Sequence, residues 1–209
     1  MTEQQIEEAA QRLGIALTGS ELTHLAGYVN LLSHWNRAYN LTAAKTSTAI
    51  IERHVVDSLT VRAYLPAGQL LDVGSGAGLP GIPLAIVEPQ RSVTLVDSNG
   101  KKARFLRQCK LSLGLVNVAV MQTRMEQLAP ACCDIVTARA VAPLGQLLTL
   151  LVPLLRPGGS LLALKGARAV AEVAALPEEW RRAVAVHDLP SLEEEGCAKL
   201  VIYRRSAEE

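Results

Sequence analysis

One short segment constrains the fold of this chain more than any other. Leu70 and Leu71 run into Asp72-Val73-Gly74-Ser75-Gly76-Ala77-Gly78, and a helical stretch opens at about Gly81. An apolar strand that ends in a glycine turn and continues as a helix is the opening unit of a parallel α/β sheet. The glycines let the backbone turn sharply and let a ligand approach the main chain, while unpaired amides at the helix start face whatever binds there. An anionic or strongly polar ligand suits that position.

The rest of the chain extends this unit. The runs QLLDVG, SVTLVDS, VAVMQT, DIVTARA and SLLALKG alternate with helical stretches, which predicts five parallel strands with crossover helices. Two last runs, AVAVHDL and KLVIYRR, are separated by Pro190, Glu193 to Glu195 and Gly196, too little chain for a crossover helix, so they read as a closing antiparallel pair. The Glu193-Glu194-Glu195 run reads as a solvated loop. Before Pro66-Ala67-Gly68 the chain reads as helix throughout, with Leu22, Leu25, Val29, Leu32 and Trp35 on one stripe. The expected division is therefore an N-terminal helical cap over residues 1–65 and a Rossmann-like α/β domain over 66–209.

Composition bounds the partners. With 21 basic against 20 acidic residues the chain lacks the overall basic excess of many nucleic-acid binders, so any RNA surface must be a local patch. Cys109, Cys132, Cys133 and Cys197 form no C-x-x-C pair, and the start MTEQQIEEAA carries neither a basic nor an apolar leader region. We expect a cytoplasmic, reduced protein with no metal centre and no membrane partner, since LGQLLTLLVPLL is too short and Pro-broken to span a bilayer.

Which ligand the glycine turn serves is partly readable. A dinucleotide fingerprint counted from Gly74 and Gly76 would need its third glycine at Leu79, which weakens an NAD reading. Asp97 ends the next apolar run, where a carboxylate can accept from both ribose hydroxyls, a device shared by several nucleoside-binding classes. The D-x-G-x-G-x-G form is similar to the first motif of class I S-adenosylmethionine-dependent methyltransferases. Leu154-Leu155-Arg156-Pro157-Gly158-Gly159, read as a helix stop and a turn before the fifth strand, resembles another of their features. That resemblance implies S-adenosyl-L-methionine as cofactor and a mostly parallel seven-stranded sheet with an antiparallel last strand.

After the fourth strand the chain reads Asp134-Ile135-Val136-Thr137-Ala138-Arg139-Ala140-Val141, with no N-P-P-Y or D-P-P-Y for an exocyclic adenine amine. Cys132 and Cys133 precede that strand, on the wrong side to attack cytosine C5, and read as small core or surface residues. Arg139 and Lys165, at the ends of the fourth and fifth strands, are candidate positioning residues for cofactor carboxylate, substrate phosphate or base; the plain alternative is a surface ion pair. A nucleophile with a free lone pair, such as guanine N7, needs no general base, and alignment alone can carry catalysis. A small-molecule amine could be methylated in the same way.

Longer strings narrow the choice. Trp35-Asn36-Arg37-Ala38-Tyr39-Asn40-Leu41-Thr42, Arg53-His54-Val55-Val56-Asp57-Ser58, DVGSGAGLPGIP from Asp72 to Pro83, Arg104-Phe105-Leu106-Arg107 and Ala163-Leu164-Lys165-Gly166 together resemble the bacterial RsmG (GidB) family. The resemblance spans nearly the whole chain. It implies methylation of guanine N7 in the 530 loop of 16S ribosomal RNA, with that RNA or the 30S subunit as partner. It also implies cofactor contacts at Gly74, Leu79, Met125, Glu126 and Arg139, beside Gly76 and Gly78 of the turn and Asp97 at the ribose. Two other readings stay open: a methyltransferase for a small molecule or protein, and a non-catalytic nucleotide-binding module. Asn40, His54 and Asp57 fall in the most specific strings, but sequence supplies no mechanism for them. Lys101, Lys102, Arg104, Arg107 and Lys110 sit on a helix whose apolar stripe is Ala103, Leu106, Cys109 and Leu113, making that face either an RNA surface or a merely solvated one. Arg37, Lys45 and Arg53 mark the alternative RNA surface.

Overall fold

The computed structural model describes residues 2–192 and 198–207. Its N-terminal part is helical in pieces: α1 (Thr2–Arg12), α2 (Gly19–Tyr39), α3 (Ser47–Ile50), a π-helical turn (Ile51–Val56), α4 (Asp57–Thr60) and a 3-10 turn (Val61–Tyr64). A reciprocal capping box between Thr18 and Glu21 starts α2. Leu25, Val29 and Leu32 are fully buried along the expected stripe, with Leu22 and Trp35 packed at its edges.

The expectation of continuous helix fails at residues 13–18 and 40–46. Asn40 closes α2 in the left-handed region at φ 49°, a conformation its short amide side chain tolerates. The buried Asn36 side chain then supplies the partners that a helix would have supplied: its Nδ2 donates to Ala44 O at 2.8 Å and its Oδ1 accepts from Thr42 N–H at 2.9 Å.

The seven-stranded sheet has the order β3-β2-β1-β4-β5-β7-β6. Its strands are β1 (Leu70–Val73), β2 (Val93–Val96), β3 (Val118–Met121), β4 (Cys133–Arg139), β5 (Leu155–Lys165), β6 (Val184–Asp188) and β7 (Lys199–Arg204). β7 runs antiparallel to both β5 and β6, and the remaining pairs are parallel. This is the expected class I methyltransferase architecture. β1 is buried along its whole length, as a strand covered on both faces must be. Pro157-Gly158-Gly159 does not precede β5 but lies within it: pairing with β4 jumps from Cys133–Leu155 to Ile135–Ser160, and Gly158 takes φ 79° in the bulge.

Between strands run α5 (Gly81–Val87), α6 (Gly100–Ser112), α7 (Leu144–Leu151), α8 (Ala169–Ala174) and α9 (Glu178–Ala183). One apolar cluster joins the N-terminal helices through Ile6, Leu25 and Tyr28 to the sheet and its helices through Ile82, Leu95 and Phe105. A second fills the opposite face beneath α7. Cys109 and Cys133 are buried and Cys132 is half-buried. The Glu193–Glu195 run and Cys197 lie outside the described residues. No helix among those residues is long and apolar enough to cross a membrane.

Candidate active site

Strand order reverses between β1 and β4, so the carboxyl ends of β1, β2 and β4 open a crevice where α/β folds bind ligands. Asp72 anchors its floor. It is fully buried; Oδ1 accepts from Thr137 Oγ1 at 2.9 Å and Oδ2 from the Gly81 amide at 3.3 Å. Burial pushes its carboxyl up to about 6, against the pull of the hydrogen bonds from Thr137, Ser75 and Gly81. The glycine turn hangs from β2: the amides of Gly74 and Ser75 donate to Val96 O at 2.8 and 3.0 Å. Gly74 and Gly76 take φ 68° and 57°, a region that glycine enters at little cost.

Asp97 closes the turn from the neighbouring strand. Only 6% exposed, it accepts the Gly76 amide on Oδ2 at 2.9 Å and the Asn99 amide on Oδ1 at 2.8 Å, with Lys102 Nζ 3.8 Å from Oδ2. Beside it lies a cavity of about 330 Å³ whose lining includes Gly74, Asp97, Met125, Glu126, Ala140 and Val141. An added Cβ at Gly76 would meet only Gly74 O at 3.7 Å and Lys102 Nζ at 3.9 Å, so a ligand can reach the main chain there. An acidic strand end, an open glycine backbone and a mainly polar lining interrupted by Val73, Val96, Met125 and Val141 fit a nucleoside cofactor.

A second cavity, of about 1020 Å³, opens beyond β4 and β5 and shares Ala140 and Val141 with the first. Ala140 is held at φ 54°, a strained conformation for a residue with a Cβ, at the junction itself. Arg139 lines this second space. Its Nη2 donates to Arg53 O at 2.7 Å, lies 3.1 Å from His54 Nδ1 and stands 4.0 Å from Asp57 Oδ2. Burial and the Arg139 charge hold His54 down at about 4, so the ring is neutral at pH 7. Its Nδ1 also lies 2.9 Å from Arg53 O, and its Nε2 lies 2.5 Å from Thr42 Oγ1. The π-helical turn thus brings Arg53 O, His54 and Asp57 together on the end of β4. Lys165, also on the wall, donates to Ala142 O at 2.7 Å and pairs with Glu172 at 2.8 Å, while the same Glu172 oxygen accepts the Leu144 amide at 2.6 Å. It braces the loop between β4 and α7.

Of the residues expected at the cofactor, Gly74, Asp97, Met125 and Glu126 share the smaller cavity, and Gly76 reaches it through Asp97. Gly78 and Leu79 face inward instead: a Cβ on Gly78 would lie 2.6 Å from Ile82 Cγ1, and Leu79 belongs to the main core. Arg139 and Lys165 stand together on the larger cavity. Asp57 joins them on that lining and His54 touches Arg139, whereas Asn40 caps α2 and accepts from Lys45 Nζ at 3.2 Å. Sequence reasoning missed Ser98, Thr123 and Arg124 on the smaller cavity and Glu172 and Ser191 on the larger. It placed Lys102 only on an outer basic face, although its neighbour Asp97 was in view.

A family model described as rRNA small subunit methyltransferase G (GidB) matches residues 21–201. The chain is 54% identical over 204 residues to the ribosomal RNA small subunit methyltransferase G of Halorhodospira halophila, covering 98% of each chain. It is 46% identical to the Xanthomonas oryzae pv. oryzae protein of that name, over 94% of this chain and 91% of the relative. Among solved structures it is similar to a ribosomal protein L11 methylase from Lactobacillus delbrueckii subsp. bulgaricus (TM-score 0.56, 17% identity, 73% and 79% of the two chains). A SAM-dependent methyltransferase from Aquifex aeolicus is comparable (TM-score 0.52, 18% identity, 75% and 92%). Such distant likeness establishes the fold alone, but the family match and the near-full-length identities go further: this chain belongs to the GidB family, the rRNA small subunit methyltransferases G.

Proposed function

We propose that this protein methylates N7 of a guanine in the 530 loop of 16S ribosomal RNA, using S-adenosyl-L-methionine and acting in the cytoplasm on the RNA or the 30S subunit. The observation that carries this reading is the pair of cavities meeting at Ala140 and Val141, one fitted to a nucleoside and the other large enough for a base. Family membership supports the RNA substrate.

S-adenosylmethionine supplies a methyl group on a sulfonium, an electrophile that asks only for an aligned lone pair. In our assignment Asp97 holds the ribose hydroxyls, Met125 and Glu126 border the adenine, and the Gly74–Gly76 backbone lies against the rest of the cofactor. The inward-facing Gly78 and Leu79 set the shape of the turn. Arg139 and Lys165 fix the β4–α7 segment between cofactor and base, and residues 1–65 form the cap that closes the crevice. No group need remove a proton before attack on the methyl, which asks for no general base among the residues around Arg139.

The test is methyl transfer from tritiated cofactor to isolated 30S subunits and to 16S RNA, with the product mapped by reduction and aniline cleavage. Label at one guanine N7 is expected. Label confined to small molecules or protein overturns the RNA substrate, and binding of NAD without binding of S-adenosylhomocysteine overturns the cofactor.

A further inference from the structure

We propose that Glu172, on α8, is a positioning residue for methyl transfer, holding through Lys165 and the Leu144 amide the segment 140–143 where the two cavities meet. This rests on the guanine-N7 reading above and adds to it the group that keeps the two cavities in register.

Ala140 and Val141 line both cavities, so their placement decides whether a sulfonium methyl on one side and a base nitrogen on the other can align. Ala140 sits at φ 54°, an unfavourable conformation for a residue with a Cβ, and the structure around it has to hold it there. The segment ends at Pro143, which has no N–H to donate and starts α7 without a side-chain capping bond. Two side chains from β5 and α8 supply the hold. Lys165 Nζ donates to Ala142 O at 2.7 Å, and Glu172 Oε2 accepts both from that ammonium at 2.8 Å and from the Leu144 amide at 2.6 Å. One carboxylate oxygen thus clasps the chain on either side of Pro143 and stands in for the missing cap of α7. Burial alone would raise the Glu172 carboxyl, but Lys165 and the Leu144 amide hold it below its ordinary value. The other end of the segment bears on the glycine turn, since a Cβ on Gly74 would come within 2.6 Å of Val141 Cγ2.

The charge of Glu172 matters as well as its shape. The Lys165 side chain is only 9% exposed, and an ammonium so enclosed needs a counter-charge to stay where it reaches Ala142 O. A neutral side chain at position 172 would let that ammonium turn towards solvent and release Ala142, while Asp97 and the turn amides bonded to β2 keep their places. The loss would fall on alignment, and so on kcat, more than on binding.

The experiment measures kcat and KM on 30S subunits, and S-adenosylhomocysteine affinity by calorimetry, for Glu172→Gln, Lys165→Met and the double variant. Glu172→Gln keeps an acceptor for the Leu144 amide and loses the charge. Its kcat should fall by roughly 10- to 100-fold, the effect of a small misplacement, while KM and cofactor affinity change by less than about threefold. Because Glu172 acts through Lys165, the double variant should lose no more kcat than Lys165→Met alone, whereas independent contributions would multiply. Wild-type kcat in folded Glu172→Gln overturns the proposal, and so does a loss of cofactor affinity as large as the loss of kcat. Lys165→Met removes the enclosed charge together with its contact, so it decides the matter even where Glu172→Gln does not fold: wild-type kcat there also overturns the proposal. A wild type that labels no guanine N7 overturns the proposed function and this inference with it, whereas failure in the variants alone leaves the function standing.

Discussion

Asp97 carries two structural hydrogen bonds before any ligand arrives, and that changes what its removal should do. With the Gly76 and Asn99 amides at 2.9 and 2.8 Å, the carboxylate both shapes the glycine turn and faces the smaller cavity. Asp97→Ala should weaken S-adenosylhomocysteine binding by about 1.5–3 kcal/mol in titration calorimetry, the worth of hydrogen bonds to a charged group. It should also cost about 1–3 kcal/mol of folding stability by leaving amides without an acceptor. Undiminished affinity in a folded variant would remove Asp97 from the site. His54 makes a pH prediction of defined sign. Its folded value near 4 lies below the ordinary 6.5, so the unfolded chain binds the extra proton and stability falls as pH drops from about 6.5 towards 4. Asp72 acts in the opposite sense: raised from 3.8 to about 6, it favours the fold as pH falls through that window. His54→Gln removes the first effect alone. Its stability relative to wild type should rise by up to about 3 kcal/mol between pH 6.5 and 4 in urea titrations, and a pH-independent difference would refute the assignment. Asp97 was legible in the sequence because it ends an apolar run. The meeting of His54 and Asp57 with Arg139 was not, because those segments are far apart in the chain and only the tertiary fold joins them.

At the scale of elements, α6 tests how a chain with balanced charge can hold RNA. Ala103, Leu106 and Cys109 are buried, which turns Lys101, Arg104 and Arg107 outward. Lys102 differs from them, leaning towards Asp97 on the cavity side. Lys101→Ala combined with Arg104→Ala should therefore raise KM for 30S subunits more than it lowers kcat. It should reduce the slope of log affinity against log salt by about one unit per lost phosphate contact and leave cofactor binding intact. An unchanged salt slope would move the RNA surface to the exposed Arg37, Lys45 and Arg53. Elements with a clean period were readable: each of the seven strands overlaps an expected apolar run, and β1, buried on both faces, is apolar but for Asp72. Local exceptions were not. The π-helical turn at Ile51–Val56 has no sequence signature, and the bulge at Gly158 looks the same in sequence as a turn that ends before a strand.

For the whole molecule, the division near residue 65 suggested by composition meets a core that does not divide there. Tyr28 on α2 is fully buried and donates to Ala77 O at 2.7 Å, inside the glycine turn, and Trp35 packs on Phe105 of α6 at 5.6 Å between ring centres. Leu25, Val29 and Leu32 belong to the same apolar cluster as Ile82 and Leu84. Removing the helices would bare that face of the sheet layer, and each large side chain re-exposed would forfeit about 1.5–3 kcal/mol. Sequence periodicity shows that a helix has an apolar face but not which surface covers it, so a change of texture reads as a boundary even where packing is continuous. We therefore expect the helices and the sheet to unfold together. The two tryptophans allow a direct check, since Trp35 lies on α2 and Trp180 on α9, where it packs against Tyr203 of β7. In Trp180→Phe the fluorescence reports the N-terminal helices, and in Trp35→Phe it reports the far edge of the sheet. In each variant the fluorescence and far-ultraviolet circular dichroism transitions in urea should coincide, with equal slopes. A Trp35 transition that precedes the loss of sheet signal would instead make residues 1–65 a separately folding cap, and the glycine turn would then have to hold its shape without Tyr28.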